Sequence, residues 1–94
     1  NYEEVLNHPA RRAIFEKLSE AKAMTFSELL KAVNMPKAVL SWHLYILERH
    51  GLIKVCRPVK PRRVIVFIPD SEGIKKAVKL AGAECRGLRY DEHL

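Results

Sequence analysis

Between Thr25 and Gly51 the chain carries three start and stop signals that leave it few ways to fold. Thr25-Phe26-Ser27-Glu28 has the Thr-x-x-Glu spacing of a capping box, in which the hydroxyl and the carboxylate each satisfy an unpaired backbone N–H at a helix start. Leu29, Leu30 and Val33 then form the buried side of that helix. Asn34-Met35-Pro36 interrupts it, because the residue before a proline is pushed out of the helical region. Pro36 opens a further helix running to about His50, and Gly51 supplies the left-handed conformation that ends it. The result is two helices joined by a tight turn.

The flanks complete a pattern. Pro9 fits the first turn of a helix over about 9–20, with Ile14, Phe15 and Leu18 on one face and Arg11, Arg12, Glu16 and Lys17 elsewhere. Tyr2 to Leu6 reads as a short preceding helix. After Gly51 the period changes to two: Leu52, Lys54 and Cys56 alternate with Ile53, Val55 and Arg57, and Val64 to Ile68 is a β-branched and aromatic run ended by Pro69. Between these two strands Pro58 to Arg63 forms a rigid cationic loop. From Ser71 the pattern is helical again to about Tyr90, capped by Asp70 or Ser71. The predicted fold class is mainly α with a small β-hairpin, a winged helix-turn-helix. One domain spans 1–94, with its core at 8–70 and a C-terminal helix at 71–90.

Ninety-four residues leave no room for a second core, and a chain this short is often completed by a partner subunit. No apolar run approaches the roughly 20 residues needed to span a bilayer. Two cysteines, Cys56 and Cys85, are too few for a disulfide scaffold or a four-cysteine zinc site, which points to a reducing, cytoplasmic setting. The net charge is +6, and residues 51–70 hold 5 basic side chains against 1 acidic. Most of the excess therefore sits in the loop and its strands, a distribution that favours a polyanionic partner over a uniformly solvated surface.

At 100° per residue, Leu40, His43, Leu44 and Leu47 fall on one side of the helix after Pro36. Ala38, Ser41, Trp42, Tyr45 and Arg49 fall opposite, with Lys37 in the exposed first turn. The apolar side packs on the preceding helices, and His43 reads as a buried, hydrogen-bonded histidine. The other side suits the major groove of duplex DNA: Ser41 and Tyr45 for hydrogen bonds, Trp42 for a thymine methyl or a sugar, Lys37 and Arg49 for the backbone. Arg57, Lys60, Arg62 and Arg63 add phosphate or minor-groove contacts from the loop. For Trp42, covering the loop or joining a dimer contact remain open alternatives.

The wording of two stretches narrows the class. His8-Pro9-Ala10-Arg11-Arg12-Ala13-Ile14 resembles the "HPxRxxIL" opening of arsenic-repressor-like (ArsR-type) winged-helix regulators. The stretch Leu40-Ser41-Trp42-His43-Leu44-Tyr45-Ile46-Leu47-Glu48-Arg49-His50-Gly51-Leu52-Ile53 is similar to their "VSxHLxxLxxxGLI". The resemblance covers residues 8 to about 70. It implies a DNA-recognition helix around Ser41 to Leu44, a wing at 52–68, and terminal helices forming a homodimer on a pseudo-palindromic operator. Trp42 stands where the family usually has a polar or basic residue. The family's metal-sensing cysteine pair is missing from Glu28 to Val33, and Glu84, Asp91, Glu92 and His93 do not make its alternative site. No metal and no cofactor are expected.

Ile74, Val78, Ala81, Cys85 and Leu88 recur at alternating spacings of four and three, the seam of a helix that pairs with another helix. Pairing between two copies is the favoured reading, with Cys85 placed to meet its symmetry mate in an intersubunit disulfide. The alternative is packing on the chain's own domain, against Val5 and Leu6. Cys56 reads as packing within its strand. No enzyme is indicated: Ser41 and His43 project in different directions, and Gly51, Gly73, Gly82 and Gly87 form no phosphate-binding loop. The function expected is a homodimeric regulator binding an inverted repeat in double-stranded DNA. A protein-interaction module and a non-specific architectural DNA-binding protein are the competing readings.

Overall fold

The computed structural model describes residues 2–58, 63–82 and 85. Its elements are α1 (Tyr2–Leu6), α2 (Pro9–Ala21), β1 (Ala23–Thr25), α3 (Phe26–Ala32), α4 (Lys37–Arg49), β2 (Lys54–Cys56), β3 (Ile65–Phe67) and α5 (Ser71–Ala81). The predicted capping box is made in full: Thr25 Oγ1 accepts from Glu28 N at 3.0 Å, and Thr25 N donates to Glu28 Oε1 at 2.9 Å. Gly51 closes α4 at φ +77°, its N–H reaching Glu48 O while Leu52 N reaches Leu47 O. This paired closure is what a left-handed residue after a helix makes available.

β1 was not expected from the sequence. Ala-Met-Thr is too short to show a period, and its strand character comes from a partner distant in the chain. β1 and β2 pair antiparallel on either side of β3, with Ala23 opposite Phe67, Thr25 opposite Ile65, and Cys56 opposite Ile65 on the other edge. Phe26 N to Val64 O and Ile68 N to Lys22 O extend the first ladder.

The central strand is buried on both faces, which explains why residues 64–68 read as one continuous apolar run. Val66 faces a core of Val5, Ile14, Leu18, Leu29, Val33, Leu40, Leu44, Leu47 and Ile53, where the first four helices meet. Ile65 and Phe67 face the other way, into a second cluster with Ala23, Cys56, Ala77, Ala81 and Cys85. α5 lies on this second face, so the sheet is sandwiched between helices. Asp70 caps α5 by accepting from Gly73 N at 2.7 Å and pairs with Lys22 at 3.2 Å.

Three expectations about the C-terminal region are corrected. The stripe of α5 packs on its own domain: Ala81 and Cys85 are buried against the sheet, and Ile74 and Val78 are half-buried on the same cluster. Its contacts are with the sheet instead of Val5 and Leu6, which belong to the first core. α5 closes at Gly82, whose φ of +80° cannot continue a helix, well before Tyr90. Leu88 and Tyr90 lie outside the described residues. The third correction concerns the cysteines, which bond to each other within the chain with a Cα–Cα separation of 5.5 Å. Cys85 is therefore engaged with Cys56 and not with a second copy, and Cys56 does more than fill its strand. Among the described residues no helix is long and apolar enough to cross a membrane.

Candidate nucleic-acid interface

α4 buries Leu40, His43, Leu44 and Leu47 and leaves Lys37, Ala38, Ser41, Trp42, Tyr45 and Arg49 exposed, the division its periodicity predicts. Val39, unassigned from the sequence, is exposed as well. The exposed flank is organised. Trp42 and Tyr45 stack with ring centroids 5.8 Å apart and planes inclined by 28°, and Arg49 Nη1 donates to the Tyr45 hydroxyl oxygen at 3.0 Å. Large aromatic area stays in water: Trp42 is 55% and Tyr45 49% exposed.

Beside this flank a groove of about 310 Å³ separates α4 from the sheet. Lys37, Ser41, Tyr45 and Glu48 line it from the helix, Arg57 from the end of β2, and Leu44, Val55 and Val66 form part of its apolar floor. Four predicted residues are thus brought together: Lys37, Ser41, Tyr45 and Arg57. Glu48 puts a carboxylate among them, so the groove is not uniformly cationic. Ala38, Trp42 and Arg49 do not line it. Arg63 is exposed, but its guanidinium donates to Leu80 O at 3.4 Å, turning it toward the end of α5. Lys60 and Arg62 lie outside the described residues.

His43 explains how α4 is held. It is 4% exposed, and its Nδ1 accepts from Arg11 Nε at 3.3 Å while its ring meets His8 edge-on at 4.7 Å. Arg11 also donates to Val5 O, and Arg12 to Leu6 O, so both arginines tether α1, Arg11 half-buried and Arg12 exposed. A charged residue beside a short helix leaves no periodic signal of such a role. An acceptor at Nδ1 requires the neutral ring.

Burial first, then the positive charge associated with His8 and Arg11, holds the His43 pKa below its ordinary value of 6.5. Above that pH the ring is neutral whether the chain is folded or not. As pH falls through about 6.5 the unfolded chain takes up a proton that the folded chain resists, so stability drops until the lowered native pKa is passed. Urea midpoints measured from about pH 8 to about pH 5.5 should fall for the wild type, and that fall should shrink in His43→Gln. An equal fall in both proteins contradicts the assignment to His43.

Three helices, a helix with one exposed polar and aromatic flank, and a sheet hairpin alongside define a winged helix-turn-helix. Residues 6–56 match the family described as a helix-turn-helix domain. An ArsR family transcriptional regulator of known structure is 30% identical, with a TM-score of 0.60 over 90% of this chain and 82% of that one. The chain therefore belongs to the helix-turn-helix family and, within it, to the ArsR-type winged helices. A transcriptional regulator homologue from Pyrococcus horikoshii OT3 superimposes with a TM-score of 0.67 at 25% identity, covering 97% of this chain and 90% of that one. An uncharacterized HTH-type transcriptional regulator of Methanocaldococcus jannaschii is 40% identical over 52 residues, which are 55% of this chain and 13% of that protein. The chain thus spans a small part of that curated relative.

Proposed function

We propose that this chain is a transcriptional regulator that binds double-stranded DNA, with α4 in the major groove and the wing on the backbone. The observation that carries the reading is the exposed flank of Lys37, Ser41, Trp42, Tyr45 and Arg49 on a helix whose other face is fixed in the core. Ser41 and Tyr45 hydrogen-bond base edges or phosphates. Lys37 and Arg49 hold phosphates, and Ala38 allows close approach. Arg57, with Lys60 and Arg62, supplies the wing contacts, helped by the charge concentrated in 51–70, while Arg63 is held on the Leu80 carbonyl. The similarity to ArsR-type regulators supports the same assignment.

The binding unit in this reading is a homodimer on an inverted repeat, its two recognition helices meeting successive major grooves about 34 Å apart. A second copy would meet the part of Ile74 and Val78 that their own sheet leaves exposed; Leu88, expected on the same stripe, lies outside the described residues. Ala81 and Cys85 support that surface from within the domain.

Titration of a duplex selected from a random pool, repeated over a range of salt, tests the proposal. Wild type should bind saturably, with log K falling linearly in log salt. Lys37→Gln and Arg57→Gln should each reduce that slope by about 0.9 if each removes one phosphate contact. An unchanged slope removes these two residues from the interface. Absence of saturable binding at low salt sinks the DNA reading.

A further inference from the structure

The Trp42–Tyr45 pair is the feature that a phosphate-holding helix does not need. Two half-exposed rings leave apolar area in water, which is unfavourable in proportion to that area. Among the described residues Trp42 has no hydrogen-bond partner, and its ring is stacked on Tyr45. Tyr45 is held in turn by Arg49. The pair is therefore ordered before any ligand arrives, so binding forfeits little side-chain freedom. Lys37 lies in the first turn of α4 and Arg49 in the last, so basic side chains bracket the rings along the helix. An apolar patch between two cations suits a surface that is anionic at its walls and offers something apolar between them.

We propose that Trp42, braced by Tyr45, makes this protein select thymine at the base pair it faces, through the C5-methyl group. The inference rests on the DNA-binding reading above and adds what that reading leaves open, a base preference. In a duplex the faces of the bases are stacked on one another, and a side chain in the major groove meets only their edges. Those edges present nitrogen and oxygen donors and acceptors and one apolar group, the thymine methyl. Indole has a single N–H donor and no acceptor. Cytosine at the same position brings no methyl and turns its amino group toward a ring that cannot accept from it, leaving that donor stripped of water and unpaired.

Deoxyuridine, which differs from thymidine by that methyl alone, supplies the test. A binding site is selected from a random duplex pool with the wild-type chain, and each thymine in it is replaced singly by deoxyuridine. The expected result is one thymine per half-site where the replacement weakens wild-type binding about 4-fold, the effect of one buried methyl. 5-Methylcytosine at that position should bind better than cytosine. Trp42→Gln should bind the thymine and deoxyuridine duplexes equally while keeping the wild-type salt slope and urea midpoint, since the ring lies outside the core. Trp42 is the chain's one tryptophan, so its emission reports the contact directly. Specific binding with every deoxyuridine duplex within 2-fold of the parent overturns the thymine proposal and leaves the DNA reading standing. Tighter binding and stronger quenching with single-stranded DNA overturn it too, because they place the ring on a base face. Absence of duplex binding in every arm overturns the DNA reading, and the thymine proposal with it.

Discussion

Reducing the Cys56–Cys85 bond should cost the fold about 3 to 4 kcal/mol, a large share of the 5–15 kcal/mol that holds a typical domain together. The bond links residues 29 apart, and closing a loop of that length removes on the order of 12 cal/mol/K of entropy from the unfolded chain. It also joins the middle of the structure to its end. Cys56 closes β2, and Cys85 follows α5, so the bond holds the C-terminal segment against the sheet face that Ile65 and Phe67 cover. Urea unfolding of the same protein with and without dithiothreitol measures the effect. The oxidised chain should unfold at the higher midpoint, and Cys56→Ala should give one low midpoint insensitive to reductant. On a non-reducing gel the oxidised protein should run as a compact monomer, with no covalent dimer. Coincident curves in the two conditions refute the prediction.

That bond also marks where the sequence stopped being informative. Two cysteines in a basic chain argue by number against a disulfide framework, and nothing in their local patterns joins a strand to a segment beyond the following helix. The pairing becomes visible only once α5 is laid on the sheet. The stripe of α5 was ambiguous for a related reason. Residues spaced by four and three bury one helix face equally well on a second helix or on a sheet, so Ile74, Val78 and Ala81 do not identify what covers them. The small residues do better: Gly73 and Ala77 are what a helix needs to approach a sheet closely.

The two faces of α4 were legible because their evidence is local. A proline start, a glycine stop and a 100° count fix which side chains of α4 face outward, and Ser41, Trp42 and Tyr45 follow without knowledge of the rest. Long-range roles were not legible. Arg11 belongs to a solvent-facing set by periodicity, yet it bridges Val5 and His43 because α1 folds back over α2. Arg63 belongs to the wing by position, yet it reaches a carbonyl of α5. Charge in a sequence says that a side chain needs a polar partner, and only the tertiary fold decides whether that partner is solvent, phosphate or backbone.

Gly73→Ala should destabilise the chain by about 2 to 4 kcal/mol even though alanine is the better helix former by about 1 kcal/mol. Gly73 sits in the first turn of α5, and a methyl group there would overlap the Ile68 carbonyl, with the carbonyl carbon only 2.8 Å away. The obstacle is backbone, so no side chain can swing aside. Ile68 O already accepts from Asp70 N at 2.8 Å, and Ile68 N is committed to Lys22 O, which fixes that stretch to β1. Relief must come from α5 moving outward. That movement loosens the Asp70 cap on Gly73 N, a loss of about 1 kcal/mol, and lifts Ala77 and Ala81 from the sheet. Lys75→Ala, on the exposed side of the same helix, is the control and should stay within about 0.5 kcal/mol of wild type. Thermal unfolding should place Gly73→Ala roughly 10 °C or more below that control. If the two variants melt together, α5 does not depend on close approach to the β3–α5 turn, and the burial of its stripe against the sheet must be held by the disulfide and Asp70 alone.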